Sequence, residues 1–266
     1  MKLTQTLHQH RRNKRKILSF FVTAGYPHQD DTVPLVVEMA KAGADLIELG
    51  IPFSDPIADG PTIQLSSDTA LRNGITLHKT LEMAQEIRKQ SSVPLVLMGY
   101  ANPIFSFGLQ RFINKCAEIG VEGTIIPDLP LEESNEYREF AAHADVAAIF
   151  LAAPTTSDDR LEELDTISTG FLYCVSITGV TGERNGLPDQ SEEFLTRARG
   201  CVKNNPLLVG FGIATAEDAR RVSHLSDGVI IGSALISAIG KSNKNHVIER
   251  AVQFVKPFRD ALDGME

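Results

Sequence analysis

The sequence predicts an α/β protein folded as a closed (β/α)8 TIM barrel, one domain over residues 1–266 with a short N-terminal helix. Three observations carry this expectation. Short apolar runs recur along the chain, the segments between them have helical periodicity, and one helix–turn–strand module is used twice. The eight runs are Ile17–Thr23, Asp45–Leu49, Pro94–Met98, Gly123–Ile126, Ala147–Leu151, Gly170–Val175, Pro206–Val209 and Asp227–Ile231. They are mostly continuous in Val, Ile, Leu and Phe rather than alternating, as strands buried on both faces of a parallel sheet are. Between them, Thr32–Ala42 places Leu35, Val36, Met39 and Ala40 on one helical face, and Gln110–Ile119 does the same with Phe112, Ile113, Cys116 and Ala117. Gly43 and Gly120 follow as helix-ending residues that need positive φ. The stretches Ala42-Gly43-Ala44-Asp45-Leu46-Ile47 and Ile119-Gly120-Val121-Glu122-Gly123-Thr124 are the repeated module. Alternating strands and helices imply parallel strands with crossover helices. Eight such units suggest closure into a barrel, with an open doubly wound sheet as the alternative.

Composition narrows the function classes. The chain is 42% hydrophobic and 23% charged, ordinary values for a soluble globular protein. Cys116, Cys174 and Cys201 are far apart, odd in number and form no CxxC pair, which argues against a disulfide framework or a zinc site. A reducing, cytoplasmic compartment is expected. The first residues, MKLTQTLHQHRRNKRK, lack the apolar region of a signal peptide, and no stretch reaches the length of a membrane span. The net charge of −8 is uneven: residues 1–16 hold six Lys or Arg and no acid, and the rest carries 20 bases against 34 acids. The basic run Arg11–Lys16 reads as the C-terminal turn of a short helix carrying Leu3 and Leu7. A nucleic-acid patch is the alternative, but one short run on an acidic chain makes a poor footprint.

Two strand-to-helix connections are long, Gly50–Pro61 and Ile177–Pro188. In such a barrel these loops lie on the catalytic face, where they position chemistry and close over it. Glu48 is the first anomaly, an acid inside the apolar run Leu46-Ile47-Glu48-Leu49. Burying a carboxylate is costly unless it is paired or protonated. Either it is a salt-bridged structural group, or it is a proton donor whose affinity is raised by desolvation. Asp55 and Asp59 follow in a loop stiffened by Pro52, Pro56 and Pro61. A turn role suits Asp55, and a magnesium site is a further reading of the pair. Glycine-bearing turns after the last three runs, Gly179-Val180-Thr181-Gly182, Gly210-Phe211-Gly212-Ile213 and Gly232-Ser233-Ala234, suggest a phosphate site built from backbone N–H groups. None of the eight runs contains lysine, and none of the seven histidines ends a run. Schiff-base chemistry and a metal centre are therefore not expected, and bond cleavage would rest on carboxylates.

The motif Glu48-Leu49-Gly50-Ile51-Pro52-Phe53-Ser54-Asp55-Pro56-Ile57-Ala58-Asp59-Gly60-Pro61-Thr62-Ile63-Gln64 resembles the signature of the tryptophan synthase α subunit family. Phe21–Pro27, Gly99–Pro103, Pro127–Pro130, Gly179–Gly182 and Gly232–Ala234 resemble it in the same order, so the likeness runs from about residue 17 to 235. Ile57 stands where leucine is commoner, which leaves both acids in place. The resemblance implies retro-aldol cleavage of indole-3-glycerol phosphate to indole and glyceraldehyde 3-phosphate. It implies Glu48 as the acid, Asp59 as the acceptor of the indole N–H, and Tyr173 as an aid to proton transfer. Phe21, Met98, Tyr100, Ile125, Pro127 and Leu151 would line the indole slot, and Thr181 would also bind substrate. Gly182, Phe211, Gly212, Gly232 and Ser233 would cradle the phosphate. It implies no cofactor or metal in this chain, and a β subunit partner carrying pyridoxal phosphate (PLP) in an α2β2 complex, with indole passed between them. The strand-2 loop and Asn102–Phe107 would meet that partner, and Ile177–Pro188 would be a lid bringing Thr181 to Asp59. The competing expectation is a weakly catalytic subunit kept as an activator of its partner.

Overall fold

The computed structural model describes residues 2–175, 189–210 and 212–264. The helix α1 (Lys2–Arg12) comes first, followed by β1 (Ile17–Thr23), α2 (Thr32–Lys41), β2 (Leu46–Gly50), α3 (Pro61–Arg72), α4 (Leu77–Gln90) and β3 (Leu95–Met98). Then come α5 (Ala101–Phe107), α6 (Leu109–Ile119), β4 (Gly123–Ile125), α7 (Asn135–His143), β5 (Ala147–Ala152), α8 (Asp158–Ile167) and β6 (Leu172–Val175). The chain finishes with α9 (Asp189–Cys201), β7 (Leu207–Gly210), α10 (Ala216–Ser223), β8 (Gly228–Ile231), α11 (Ser233–Gly240) and α12 (Val247–Asp263). All eight strands are parallel, and β8 pairs with β1, Ile17 beside Gly228 and Ser19 beside Ile230. That pairing closes the barrel and removes the open-sheet alternative.

The expected runs and the strands agree in place and differ at their ends for chemical reasons. Asp45 and Asp227 were expected inside runs, yet they lie just before β2 and β8 and anchor the turns. The Asp45 carboxylate accepts the Leu18 N–H at 3.0 Å, and the Asp227 carboxylate accepts the Leu207 N–H at 2.9 Å. Pro94 and Pro206 fall outside β3 and β7, since proline has no N–H to give the ladder. The run expected from Gly170 pairs only from Leu172, because Gly170 sits in a turn at φ +87°. In α2 and α6 the buried faces include Val37 and Ile119, while Ala40 and Ala117 are only half-buried. Gly43 and Gly120 take φ +114° and +80°, as a residue closing a helix requires.

Strand side chains alternate between two cores. Leu18, Phe20 and Val22 of β1 pack outwards under the helices, while Ile17 faces the barrel interior with Leu46, Val96, Ile149, Leu208 and Ile230. The N-terminal helix plugs the floor of that interior. Leu3 and Leu7 are fully buried in the same cluster. A β-carbon added at Gly123 or Gly170 would come within 3.1 Å of a Leu3 methyl, so those glycines make the socket. Leu3→Ala is expected to lower unfolding stability by roughly 2–5 kcal/mol, read from the urea midpoint, because the rigid socket leaves a cavity.

The basic run from the last turn of α1 onwards serves the same floor. Arg11 donates to the Asn205 carbonyl at 3.1 Å, Arg15 pairs with Asp45 at 3.0 Å, and Lys16 donates to the Ser226 carbonyl at 2.8 Å. Arg259 of α12 completes the cluster, 2.7 Å from Asp45. These cations are intramolecular staples, which accounts for the run without a nucleic-acid partner.

Candidate active site

The interior positions of β1 and β2 bring the polar groups together. Phe21 pairs with Glu48 in the ladder, and Thr23 with Gly50. Glu48 is fully buried. Its Oε1 accepts a hydrogen bond from the Ser19 hydroxyl at 3.1 Å, and its Oε2 has no partner among the described residues. Among the described residues no ion pair reaches it, so nothing there supports the salt-bridged reading of this acid. Burial pushes its pKa up to about 8, opposed only by the Ser19 bond. The carboxyl is therefore a neutral acid at pH 7, which is how a group this deep avoids the cost of an unpaired charge.

Asp59 is held from three sides. The Tyr100 hydroxyl donates to its Oδ2 at 2.9 Å, its own N–H donates to the Pro56 carbonyl at 3.0 Å, and Gln64 donates to its carbonyl at 2.8 Å. Tyr100 is fixed in turn. Its oxygen accepts the Ala58 N–H at 3.0 Å, and its ring stacks on Phe53 at 5.3 Å. Phe53 is tied down by Ser67, whose hydroxyl oxygen accepts the Phe53 N–H at 2.7 Å. Burial raises the Asp59 pKa to about 6, again with the hydrogen bond opposing. The two acids therefore separate: near pH 7 Glu48 holds a proton and Asp59 does not. Burial first, then Asp59, raises the Tyr100 phenol, so it stays a donor. Tyr173 is buried, and its phenol is raised well above the ordinary value by burial and by the nearby Glu48 and Asp59. A β-carbon on Gly210 would lie 2.4 Å from the Tyr173 hydroxyl, so the absent side chain makes room for the phenol.

A cleft opens at the C-terminal ends of β1 to β3, lined by Phe21, Gly50, Asp59, Met98 and Tyr100 among others. Met98, Ile125 and Tyr173 belong to the interior cluster, with Phe21 and Leu151 packed against it. The structure thus gathers most of the residues expected at the indole end. Pro127 is half-buried in the loop after β4 and is not among the residues lining that cleft. Asp128 beside it caps α5, accepting the Ala101 N–H at 2.9 Å. Asp55 is exposed and accepts from the neighbouring Ser54 hydroxyl at 2.5 Å, a turn role. Among the described residues no cluster of His, Cys, Asp or Glu could hold a metal ion. Beside Phe21, at the end of β8, Gly232 stands immediately before α11 and Ser233 begins it. The first turn of that helix has N–H groups without intrahelical acceptors, as any helix start does. Gly212 adopts φ +74° in the neighbouring loop. Thr181, Gly182 and the rest of the expected lid, together with Phe211, lie outside the described residues.

Ser19 and the Phe53–Ser67 brace went unnoticed in the sequence. Ser19 carries the same kind of signal as Glu48, a polar residue at an inward position of an apolar run. Ser67 carries none, because its role depends on where the strand-2 loop folds back onto α3.

A carboxyl buried in the barrel interior and a braced carboxylate lining the cleft narrow the chemistry without naming a substrate, and the comparisons with known proteins do that. The family model described as tryptophan synthase alpha chain matches residues 7–263. The tryptophan synthase alpha chain of Flavobacterium johnsoniae is 42% identical over 249 residues, covering 93% of this chain and 97% of the relative. The tryptophan synthase of Saccharomyces cerevisiae is 44% identical over 255 residues, covering 96% of this chain, which spans only 36% of that longer protein. The crystal structure of the alpha chain from Legionella pneumophila superposes with a TM-score of 0.89 at 35% identity, covering 99% of this chain and 97% of that one. Tryptophan synthase from Mycobacterium tuberculosis superposes with a TM-score of 0.87 at 31% identity over 98% of this chain and 97% of that one. Fold, order of motifs and near-complete coverage agree, and the chain belongs to the tryptophan synthase alpha chain family.

Proposed function

We propose that residues 1–266 work as one catalytic domain in which Glu48 moves the proton and Asp59 holds the positive charge during cleavage of indole-3-glycerol phosphate. The reaction itself is that of the family: a carbon–carbon lyase step of tryptophan biosynthesis, giving indole and glyceraldehyde 3-phosphate. The alpha chain uses no cofactor, PLP belonging to the beta subunit.

Indole leaves poorly as a carbanion. Protonating C3 of the ring converts it into a leaving group and places positive charge on N1. Glu48, neutral near pH 7, supplies that proton. Asp59, ionised, accepts the N1–H bond and stabilises the charge. Glu48, now a carboxylate, takes the proton of the glycerol hydroxyl next to the breaking bond. The C3–carbon bond then breaks, its electron pair restores the indole ring, and the hydroxyl carbon becomes the aldehyde. The proton has moved from oxygen to C3, and Glu48 ends as it began. Tyr173, whose phenol feels both acids, assists at the hydroxyl. Phe21, Met98 and Tyr100, which line the cleft, enclose the indole end, with Ile125 and Leu151 of the interior beneath them. Gly182, Phe211, Gly212, Gly232 and Ser233 hold the phosphate.

The observation that carries these roles is the separation of the two carboxyls, one pushed up to about 8 and the other to about 6. Cleavage needs Glu48 protonated, so activity falls as pH rises through about 8, and it needs Asp59 ionised, so activity falls as pH drops through about 6. The expected kcat/KM profile for indole release is a bell with those limbs. A profile flat across both would remove the assignment.

Alpha chains of this family associate with a beta subunit. The finer reading is an α2β2 assembly with a PLP-bearing beta subunit to which indole passes directly. Its support is three exposed large apolar side chains, Ile57 in the loop after β2, Leu65 in α3 and Phe105 in α5, which are 82%, 61% and 48% exposed. No helix among the described residues is long and apolar enough to cross a membrane. A cytoplasmic setting fits three cysteines that are all free.

A further inference from the structure

We propose that Ser19 is a positioning residue for the cleavage step, its hydroxyl fixing which oxygen of Glu48 carries the working proton. The inference rests on the acid role given to Glu48 above.

Ser19 is fully buried on β1, and the inward side chains around it, Ile17, Leu46, Val96 and Ile230, are apolar. A hydroxyl there needs a partner, because leaving it unpaired is costly. Its hydrogen bond is the one to Glu48 Oε1, at 3.1 Å. A protonated carboxyl has one donor oxygen and one acceptor oxygen. With the Ser19 O–H donating to Oε1, Oε1 accepts and the carboxyl proton sits on Oε2. Oε2 is the oxygen left without a partner among the described residues. The same bond survives when Glu48 is ionised, so Oε2 also remains the oxygen that takes the hydroxyl proton back. Without Ser19 the carboxyl could rotate or carry its proton on the oxygen turned to the barrel floor, and part of the population would be misdirected. The titratable group that feels Glu48 is Tyr173 on β6, and no cation acts on Glu48 among the described residues. Ser19 therefore also supplies the one interaction that favours the carboxylate over the acid.

The test is the pH profile of indole release by the full chain in wild type, Ser19→Ala, Ser19→Thr and Glu48→Gln. Ser19→Ala should lower kcat about tenfold, leave KM within about twofold, and move the alkaline limb to higher pH by about one unit, since the lost bond favoured the charged form. The acid limb should stay in place. Ser19→Thr, which keeps the hydroxyl on a strand-compatible side chain, should restore both kcat and the limb. Unchanged kcat and an unmoved alkaline limb in Ser19→Ala, with Glu48→Gln inactive, would overturn this inference alone. So would a lower kcat with an unmoved limb, which marks a packing defect. Near-normal turnover in Glu48→Gln would overturn the acid role itself, and the Ser19 inference with it.

Discussion

Glu48→Gln is expected to fold, to bind substrate and to release indole about a thousandfold more slowly than wild type. Glutamine matches the shape of the acid, and its carbonyl can still accept the Ser19 hydroxyl. What it loses is the exchangeable proton, and both halves of the reaction need it: C3 is not protonated and the glycerol hydroxyl is not deprotonated. KM should change little, because the carboxyl contributes to the transition state rather than to holding the phosphate and ring. An indole-release assay with and without a beta subunit reads this directly. A variant that recovers wild-type turnover once the partner is added would mean that the partner, not Glu48, controls the step.

The same substitution has an effect on stability that only a buried acid would give. The Glu48 pKa is raised from an ordinary 4.5 to about 8 in the folded chain. Between those values the folded state binds one more proton than the unfolded state, so wild type loses stability as pH rises, by about 1.4 kcal/mol per unit. Below about 4.5 both states are protonated, and above about 8 neither is, so the slope vanishes at both ends. Glutamine does not titrate. The difference in unfolding free energy between variant and wild type should therefore shift towards the variant from pH 4.5 to 8 and then level off. Urea unfolding across that range measures it. A constant difference would mean that Glu48 is already ionised in the fold, which would also remove it as an acid.

The fold was legible because parallel strands buried on both faces leave continuous apolar runs, and the helices between them keep their own period. Glu48 was legible for a related reason: among Leu46, Ile47 and Leu49 an acid has no structural excuse. The partners of charged groups were hidden. Arg11 meets residues more than 190 positions away, and Arg15 meets Asp263 at a separation of 248. Such pairings are created by barrel closure and leave no local pattern. Asp59 shows the same limit at the active site. Its loop looked rigid from its prolines, but the group that sets its chemistry, Tyr100, stands 41 positions on, beyond the next strand. Ser19 was missed because a serine in a strand is common, and only the position of Glu48 across the ladder gives its hydroxyl a task.

Asp59→Asn is expected to lower kcat/KM by about a hundredfold to a thousandfold, comparable to removing one preorganised charge-stabilising group. Lost charge is one cause, since a neutral amide cannot offset the positive charge that develops on N1. Geometry is the other. The Tyr100 oxygen already accepts the Ala58 N–H, so its own proton is directed at Asp59. In the variant that proton binds the amide carbonyl, and the NH2 group is left to face the indole N–H, donor against donor. This orientation is enforced from outside the residue, so a second change can relax it. Tyr100→Phe in the Asp59→Asn background frees the amide to turn its carbonyl to the ring. The double variant should then be no slower than Asp59→Asn alone, although Tyr100→Phe is harmful in the wild-type background, where it raises the Asp59 pKa and moves the acid limb upward. Costs that simply multiply would show that Tyr100 acts on the substrate independently. Coupling of the expected sign would show that the tyrosine works through the carboxylate, choosing which of its oxygens faces the indole.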